Sequence, residues 1–351
     1  MLERYVLTLY LKYSFLIIFS LAAFFSVIDM IGIIAKLPDS ANLVFLYALF
    51  RGAKSLEVVL PISLIFGAIV AKIHLIRANE LTAAYSLGAS RLGVLKMFVL
   101  GSLAVSCAYV ALQATDFAYL DDRAYAIYKN RSPSSATKDL FFKYDNSFVY
   151  ISELFPLSNS AKGIDILEVE SGDLTRLIHA ENGFFENGAW TLKGVTVTTK
   201  PAISGIQQQA LERRSYGGML ALKGFRPDIM DRIYETKSSY SLIDSYNAWA
   251  ILSGQKIGTD RIRAFFYSTI VLPLFAPLFT VIIFVFVPIS PRLFNVAVFS
   301  SFAMLFTLVG WGVLFTLSRM ARSGAVQPEL ALLVPFIIMF AIALYMAKKI
   351  A

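Results

Sequence analysis

The sequence predicts a membrane-embedded α-helical protein interrupted by a β-rich insert, and three observations lead there. Hydrophobic residues make up 57% of the chain and charged residues 16%, against roughly 45–50% apolar usage in soluble domains. The apolar residues gather in long runs before residue 114 and after residue 262. The stretch between is polar, shifts to a period near two, and carries Asn-Gly and Ser-Gly pairs, as strands joined by tight turns do.

The first run, Tyr13–Ile34, follows a short segment with Arg4 and Lys12 and contains Asp29 and Gly32. It is longer than the roughly 7–15 residues of a signal-peptide core and ends without a convincing cleavage site, so an uncleaved span is expected. A span needs about 20 mostly apolar residues. Residues 40–57, with Arg51, Lys54 and Glu57, read as a mixed helical approach to a second span, Val58–Leu75, which holds Pro61 and Gly67. A polar, helix-favouring segment, residues 76–91, separates it from the third span, Leu92–Leu112. That segment carries Glu80 and ends in Ser86-Leu87-Gly88-Ala89-Ser90-Arg91, a glycine stop signal for a helix.

From Thr115 a helical exit reaches about Lys129, and Ser132-Pro133-Ser134-Ser135 breaks it. Strands are expected at Leu140–Lys143, Phe148–Ser152, Ile164–Val169, Leu174–Ala180, Trp190–Thr198 and Ile206–Arg213, rich in β-branched and aromatic residues. Turns are expected at Asp145-Asn146, Ser171-Gly172-Asp173, Asn182-Gly183 and Asn187-Gly188. Strands without intervening helices imply an antiparallel sandwich or open roll; Asp228–Thr236 gives no clear signal. Ser241 with Asp244 three residues on is a helix N-cap signature. The fourth span, Ala264–Val287, contains Pro273 and Pro277; Pro288-Ile289-Ser290-Pro291-Arg292 connects it to the fifth, Leu293–Leu317. Arg319, Arg322 and Gly324 lead to the sixth, Leu330–Met346, which ends at Lys348-Lys349. The chain thus divides into residues 1–114, 115–262 and 263–351.

Charge supplies an orientation. Residues 115–262 hold 17 basic and 18 acidic side chains, so the net +8 comes from the short segments beside the spans. Basic excess in such places reports membrane orientation and anionic lipid, not nucleic acid. Arg4, Lys12, Lys72, Arg77, Arg91, Lys96, Arg292, Lys348 and Lys349 fall on one side; Lys36, Arg51, Lys54, Arg319 and Arg322 fall on the other. The first set faces the cytoplasm by the positive-inside rule, with both termini and residues 76–91, and the β insert is extracytoplasmic.

Catalytic chemistry is hard to find. Gly88 and Gly93 have the spacing of a phosphate loop, but Val94-Leu95 follow where Lys-Ser/Thr is needed. No Gly-x-Ser-x-Gly elbow occurs, Cys107 is the only cysteine, and His74 and His179 fall on opposite sides of the membrane. Neither an enzyme nor a metal or other cofactor is expected. Asp29 stands seven residues before Lys36, on the same helical face; an acid in a span is costly and is either hydrated near the interface or faces protein. The five cations on the outer side read singly as snorkelling anchors and together as a rim for an anionic lipid head group.

The ordered set of these features resembles the permease subunits of the bacterial lipopolysaccharide exporter, the LptF/LptG type. Carrying it are Arg4-Tyr5, Asp29, Pro61 with Gly67, Glu80-Leu81-Thr82-Ala83, Ser86-x-Gly88-x-Ser90-Arg91, and the insert between spans three and four. Phe142–Glu153 and Ser253-Gly254-Gln255 are closer to LptG than to LptF. The resemblance implies six transmembrane helices arranged 3+3, with an inserted extracytoplasmic antiparallel β-jellyroll-like domain, in the bacterial inner membrane. It implies a sister permease of the LptF type, and an ATPase dimer of the LptB type docking on a coupling helix, residues 76–91, through Arg77, Glu80, Ser86, Gly88 and Arg91. It also implies a periplasmic bridge of the LptC and LptA type that receives lipopolysaccharide from the β domain. Spans one and five then form a lateral gate, with Lys36, Arg51, Lys54, Arg319 and Arg322 as head-group contacts. Phe148 and Tyr150, placed inside the β roll, contact acyl chains. Asp29 departs from the pattern, since some relatives place a lysine there. Two other classes stand beside this reading: an ABC permease for another lipid, lipoprotein or regulatory system, more often of four spans, and a membrane scaffold without a transport cycle.

Overall fold

The computed structural model describes residues 2–129, 137–144, 146–155, 158–170, 173–200, 211–223, 240–254, 259–286 and 295–350. Ser132-Pro133-Ser134-Ser135, Asp145, Ser171-Gly172, Asp228–Thr236, Gln255 and the Pro288–Arg292 connection lie outside them. The chain forms two compact units: residues 1–128, 240–249 and 258–351, and residues 129–239 with 250–257.

Among the described residues the first unit holds six helices long and apolar enough to cross a membrane. Helix α1, Leu2–Ile33, runs unbroken through Arg4 and Lys12 and ends in a 3-10 turn, Ile34–Lys36. The residues expected to approach span two are part of it: α2 is one helix, Ala41–Arg77, of 37 residues. At 1.5 Å per residue it is about 55 Å long, well beyond a hydrocarbon core of about 30 Å. No loop is needed at Arg51, Lys54 and Glu57 because each finds an oppositely charged partner within the chain. A short helix α3, Glu80–Ser86, leads to α4, Arg91–Leu112, and to α5, Leu120–Tyr128. After the insert come α6, Leu242–Gly254, with Ser241 Oγ accepting the Asp244 N–H at 3.0 Å as expected, then α7, Asp260–Phe286, α8, Val296–Ser323, and α9, Val334–Ile350.

Helices α2 and α7 are the most enclosed spans, and α1, α8 and α9 the least. Close approach is specified by small residues. A Cβ on Gly67 of α2 sits 2.7 Å from Ser14 Cα of α1, and one on Gly101 of α4 sits 2.8 Å from the Tyr10 ring; any larger side chain forces the helices apart. The proline pair in α7 is compensated across the bundle. Pro277 has no N–H for the carbonyl of Pro273, and Ser106 Oγ of α4 donates to that carbonyl at 2.8 Å. In hydrocarbon an unsatisfied carbonyl costs several kcal/mol, so this hydroxyl lets the kinked helix stay enclosed.

The second unit contains one six-stranded antiparallel sheet in the order β1-β2-β3-β4-β5-β6: Thr137–Tyr144, Ser147–Phe155, Ser160–Glu170, Asp173–Glu186, Ala189–Thr199 and Glu212–Ala221. The roll is thus built as a meander. One face carries the core, with Val149, Ile151, Ile164, Ile178, Trp190, Leu192 and Val195 all buried. Asn187-Gly188 forms the expected two-residue turn, with φ of 52° and 80°. The turn expected at Asn182-Gly183 does not exist: both residues lie inside β4. Gly183 is there for space, since a Cβ meets Ile164 Cδ1 at 2.5 Å and Trp190 at 3.2 Å. The sixth strand starts later than expected, overlapping the predicted Ile206–Arg213 only at its end; residues 201–210 lie outside the described ones.

Candidate functional site

The polar segment between α2 and α4 is built as a small rigid piece between two left-handed residues. Asn79, φ 57°, turns the chain out of α2, and Gly88, φ 90°, turns it out of α3. The end of α3 is a Schellman arrangement: Ala89 N–H donates to Ala84 C=O and Gly88 N–H to Tyr85 C=O. Ser90 then caps α4, accepting the Gly93 N–H at 2.9 Å. Leu81 and Ala84 are buried, Leu81 in the membrane-unit core that also holds Val6, Leu9, Ile76 and Val94. Leu87 projects at the tip, 88% exposed. Burial pushes the Tyr85 phenol above its ordinary range, so it stays neutral at physiological pH.

Glu80 is the polar centre of this piece. The Tyr5 hydroxyl of α1 donates to its Oε1 at 3.1 Å. Its Oε2 is enclosed and has no hydrogen-bond partner among the described residues. Ser86 Oγ donates to its own helix, at Ala83 C=O, and Arg77 and Arg91 flank the piece as exposed cations. Sequence reasoning found Glu80 but not Tyr5, whose only sign was its place beside Arg4 at the chain start. An open groove of about 410 Å³, lined by Tyr13, Val70, Ile73, His74, Arg77 and Ala78, lies beside the end of α2. Lys72, counted as a flanking cation, is instead 3% exposed; it donates to Phe284 C=O in the last turn of α7 and lies 4.1 Å from the Phe284 ring. A cation there meets the negative end of the helix dipole.

At the other end of α1 the expected rim of five cations divides in two. Arg51 makes a bidentate pair with Asp29, Nη2 to Oδ1 at 2.7 Å and Nε to Oδ2 at 2.8 Å, and also pairs with Asp121 of α5. Tyr47 donates to Asp29 Oδ2 at 2.7 Å. Asp29 therefore faces protein and ties α1 to α2, and Arg51 ties both to α5. Glu57 is gripped on both oxygens, by Lys54 Nζ at 3.0 Å and by Arg322 Nη2 at 2.8 Å. Arg322 adds two bonds to Ser268 Oγ, at 2.9 and 2.7 Å, and lies 4.8 Å from the Phe265 ring, so α2, α7 and α8 meet on one guanidinium. The cavity beside Glu57 measures about 10 Å³, room for about one water and none for a head group. Lys36 and Arg319 are exposed, Arg319 resting 5.0 Å from the Phe315 ring. Glu57 could have been read from the sequence, since it stands three residues after Lys54 on one helical face.

In the sheet, Phe148 and Tyr150 alternate with Val149 and Ile151, which are buried in the core. They therefore lie on the opposite face, correcting their placement inside the roll: a period of two sends neighbours to opposite sides. Phe148 stacks on Phe141 with centroids 5.8 Å apart. The Tyr150 hydroxyl donates to Asp139 at 2.6 Å, and that bond holds the phenol above its ordinary range.

The described residues give six long apolar helices, three before and three after a six-stranded sheet in chain order, with a polar helical hinge between the second and third. The family described as the lipopolysaccharide export system permease LptF/LptG matches residues 4–349. The chain belongs to the LptF/LptG permease family. No curated protein matches it. As an LptF/LptG permease it is a multi-pass inner-membrane protein and a component of a lipopolysaccharide export transporter. Its six candidate spans also separate it from permeases of the four-span kind.

Proposed function

We propose that this chain is the LptG-like permease half of the exporter, extracting lipopolysaccharide from the inner membrane with energy from a separate ATPase and passing it to a periplasmic bridge. Both termini and α3 then face the cytoplasm, as the excess of basic residues in the short segments on that side supports, and the sheet unit is periplasmic. A sister permease and a bridge of the LptC and LptA type complete the path.

The observation that carries the reading is α3: seven residues held between left-handed hinges, presenting Arg77, Glu80, Ser86, Gly88 and Arg91 on a stable base. An LptB-type dimer docks there. The poorly enclosed α1 and α8, spans one and five, supply the lateral gate. Lys36 and Arg319, exposed, are the first head-group contacts; Arg51, Lys54 and Arg322 act mainly by holding the gate's framework. Acyl chains follow the sheet face of Val149 and Ile151, leaving Phe148 and Tyr150 outside that path.

The test is to purify the complex carrying Glu80→Ala or Glu80→Lys. ATPase association and lipid export should both fall while the chain remains folded. Normal association and export in both variants would remove the docking role. Photo-crosslinkers in α1 should trap lipopolysaccharide; crosslinks confined to other spans would remove the gate assignment.

A further inference from the structure

We propose that Tyr5 is a positioning residue that carries the motion of α3 into α1. The inference rests on the docking role of α3 proposed above and adds the route by which docking reaches the gate.

The geometry is specific. Helix α3 is joined covalently to α2 and α4 through the left-handed residues Asn79 and Gly88, which set it off as a separate hydrogen-bonded piece. Its buried side, Leu81, is apolar and non-directional. The directional link to α1 is the Tyr5 hydroxyl on Glu80 Oε1, across 75 residues of sequence. Glu80 Oε2 accepts no hydrogen bond among the described residues, and enclosed polar atoms are rarely left so. The carboxylate thus has one oxygen committed to α1 and one that the chain itself encloses, which a cationic or N–H donor from a docked partner reaches only once α3 shifts. A donor there pulls Glu80, and Glu80 pulls Tyr5.

Helix α1 is suited to receive that pull. Near Tyr5 it is anchored: Val6, Leu9 and Tyr10 are buried in the membrane-unit core, Tyr10 against Phe98 and Gly101 of α4. Farther along, Phe15, Leu16, Phe19, Phe24, Phe25 and Ile28 are exposed on one side, while Ser14 against Gly67, Ser26 on Ala48 C=O and Asp29 on Arg51 tie the other side to α2, so a pull on α1 moves it together with α2. Tyr13, eight residues after Tyr5 and about 80° round the helix from it, pairs with His74 Nδ1 at 3.2 Å and gives α1 a polar contact on α2.

The test uses the reconstituted complex with its ATPase and lipopolysaccharide, reading three quantities: ATPase association, ATP hydrolysis, and lipid transferred per ATP. Tyr5→Phe keeps the ring and removes the link. Association and hydrolysis should stay at the parent level, and lipid per ATP should fall about fivefold, the low end for coupling between two sites. Glu80→Gln keeps one acceptor for the phenol but puts an NH2 group where the docked donor needs an oxygen. It should weaken association and, in complexes that form, lower lipid per ATP as Tyr5→Phe does, and it stands as the second variant should Tyr5→Phe fail to accumulate. An unchanged ratio in Tyr5→Phe, an unchanged ratio in Glu80→Gln, or a loss of association in Tyr5→Phe equal to that of Glu80→Lys would each overturn the proposal. If Glu80→Lys itself leaves association and export normal, it is the docking role of α3 that fails.

Discussion

Glu57 offers the sharpest separation between a lipid-binding rim and an internal pin. Its side chain is 18% exposed and that of Arg322 17%, and both carboxylate oxygens are occupied. Replacing Glu57 with Ala leaves two cations facing each other in a poorly solvated place. Breaking a buried pair costs about 3–5 kcal/mol. Two features pull the expectation to the low end, about 3 kcal/mol by the same rule: Arg322 keeps Ser268 and the Phe265 ring, and Lys54 can turn to water. Glu57→Gln keeps the shape but has one acceptor oxygen, so one of the two charge-assisted bonds is lost and its cation faces an NH2 group; the cost should be about 2 kcal/mol, within the range for a lost bond to a charged group. The assay is denaturant unfolding in detergent for Glu57→Gln, Arg322→Gln and the double variant. The coupling energy should be about 1–3 kcal/mol, as for residues in direct contact. A value within about 0.5 kcal/mol of zero, as for independent sites, would refute the pin. A rise in bound lipopolysaccharide on Glu57→Gln would instead show that Lys54 and Arg322 are head-group ligands held in check.

Three other perturbations test separate parts of the structure. Gly67→Val places a side chain inside Ser14 of α1 and should destabilise the membrane unit by about 1–3 kcal/mol or more, as overpacking does; unchanged melting in detergent would contradict the packing. Trp190→Ala empties the centre of the sheet face and should cost about 3–5 kcal/mol, seen as greater protease sensitivity of the sheet unit, with full resistance as the contrary result. Lys36→Gln with Arg319→Gln should lower lipopolysaccharide crosslinking to α1 severalfold while leaving melting within about 0.5 kcal/mol of the parent, as for surface changes; undiminished crosslinking would remove both from the head-group site.

The spans were legible because an apolar run of membrane length has few other uses. Their true lengths were not. Arg51 and Glu57 in α2 look like helix-ending polar residues until their partners are known, and Asp29, Asp121 and Arg322 come from distant parts of the sequence. Strand positions came through for five of six strands because alternation is local. Asn182-Gly183 misled because glycine serves two needs, a positive φ and a vacant Cβ, and the sequence does not say which. Phe148 and Tyr150 were placed on the wrong face because the neighbouring alternate set, Val149 and Ile151, is equally apolar, and only pairing decides which set is covered. Glu80 was legible from its setting between two spans. Its link to Tyr5 was not, since nothing local joins residues 75 positions apart.

The bond from Ser106 to the Pro273 carbonyl has a consequence for how such chains diverge. Either residue 106 loses its hydroxyl and a carbonyl is stranded among hydrocarbon, or residue 277 regains an N–H and the hydroxyl has nothing left to satisfy. A substitution at one position therefore alters what is tolerated at the other, 171 residues away in the sequence. Alanine at 106 should be found with a residue other than proline at 277, and proline at 277 with a small hydroxyl donor at 106. Two helices from opposite halves of the chain are in this way tied into one unit of inheritance by a single hydrogen bond.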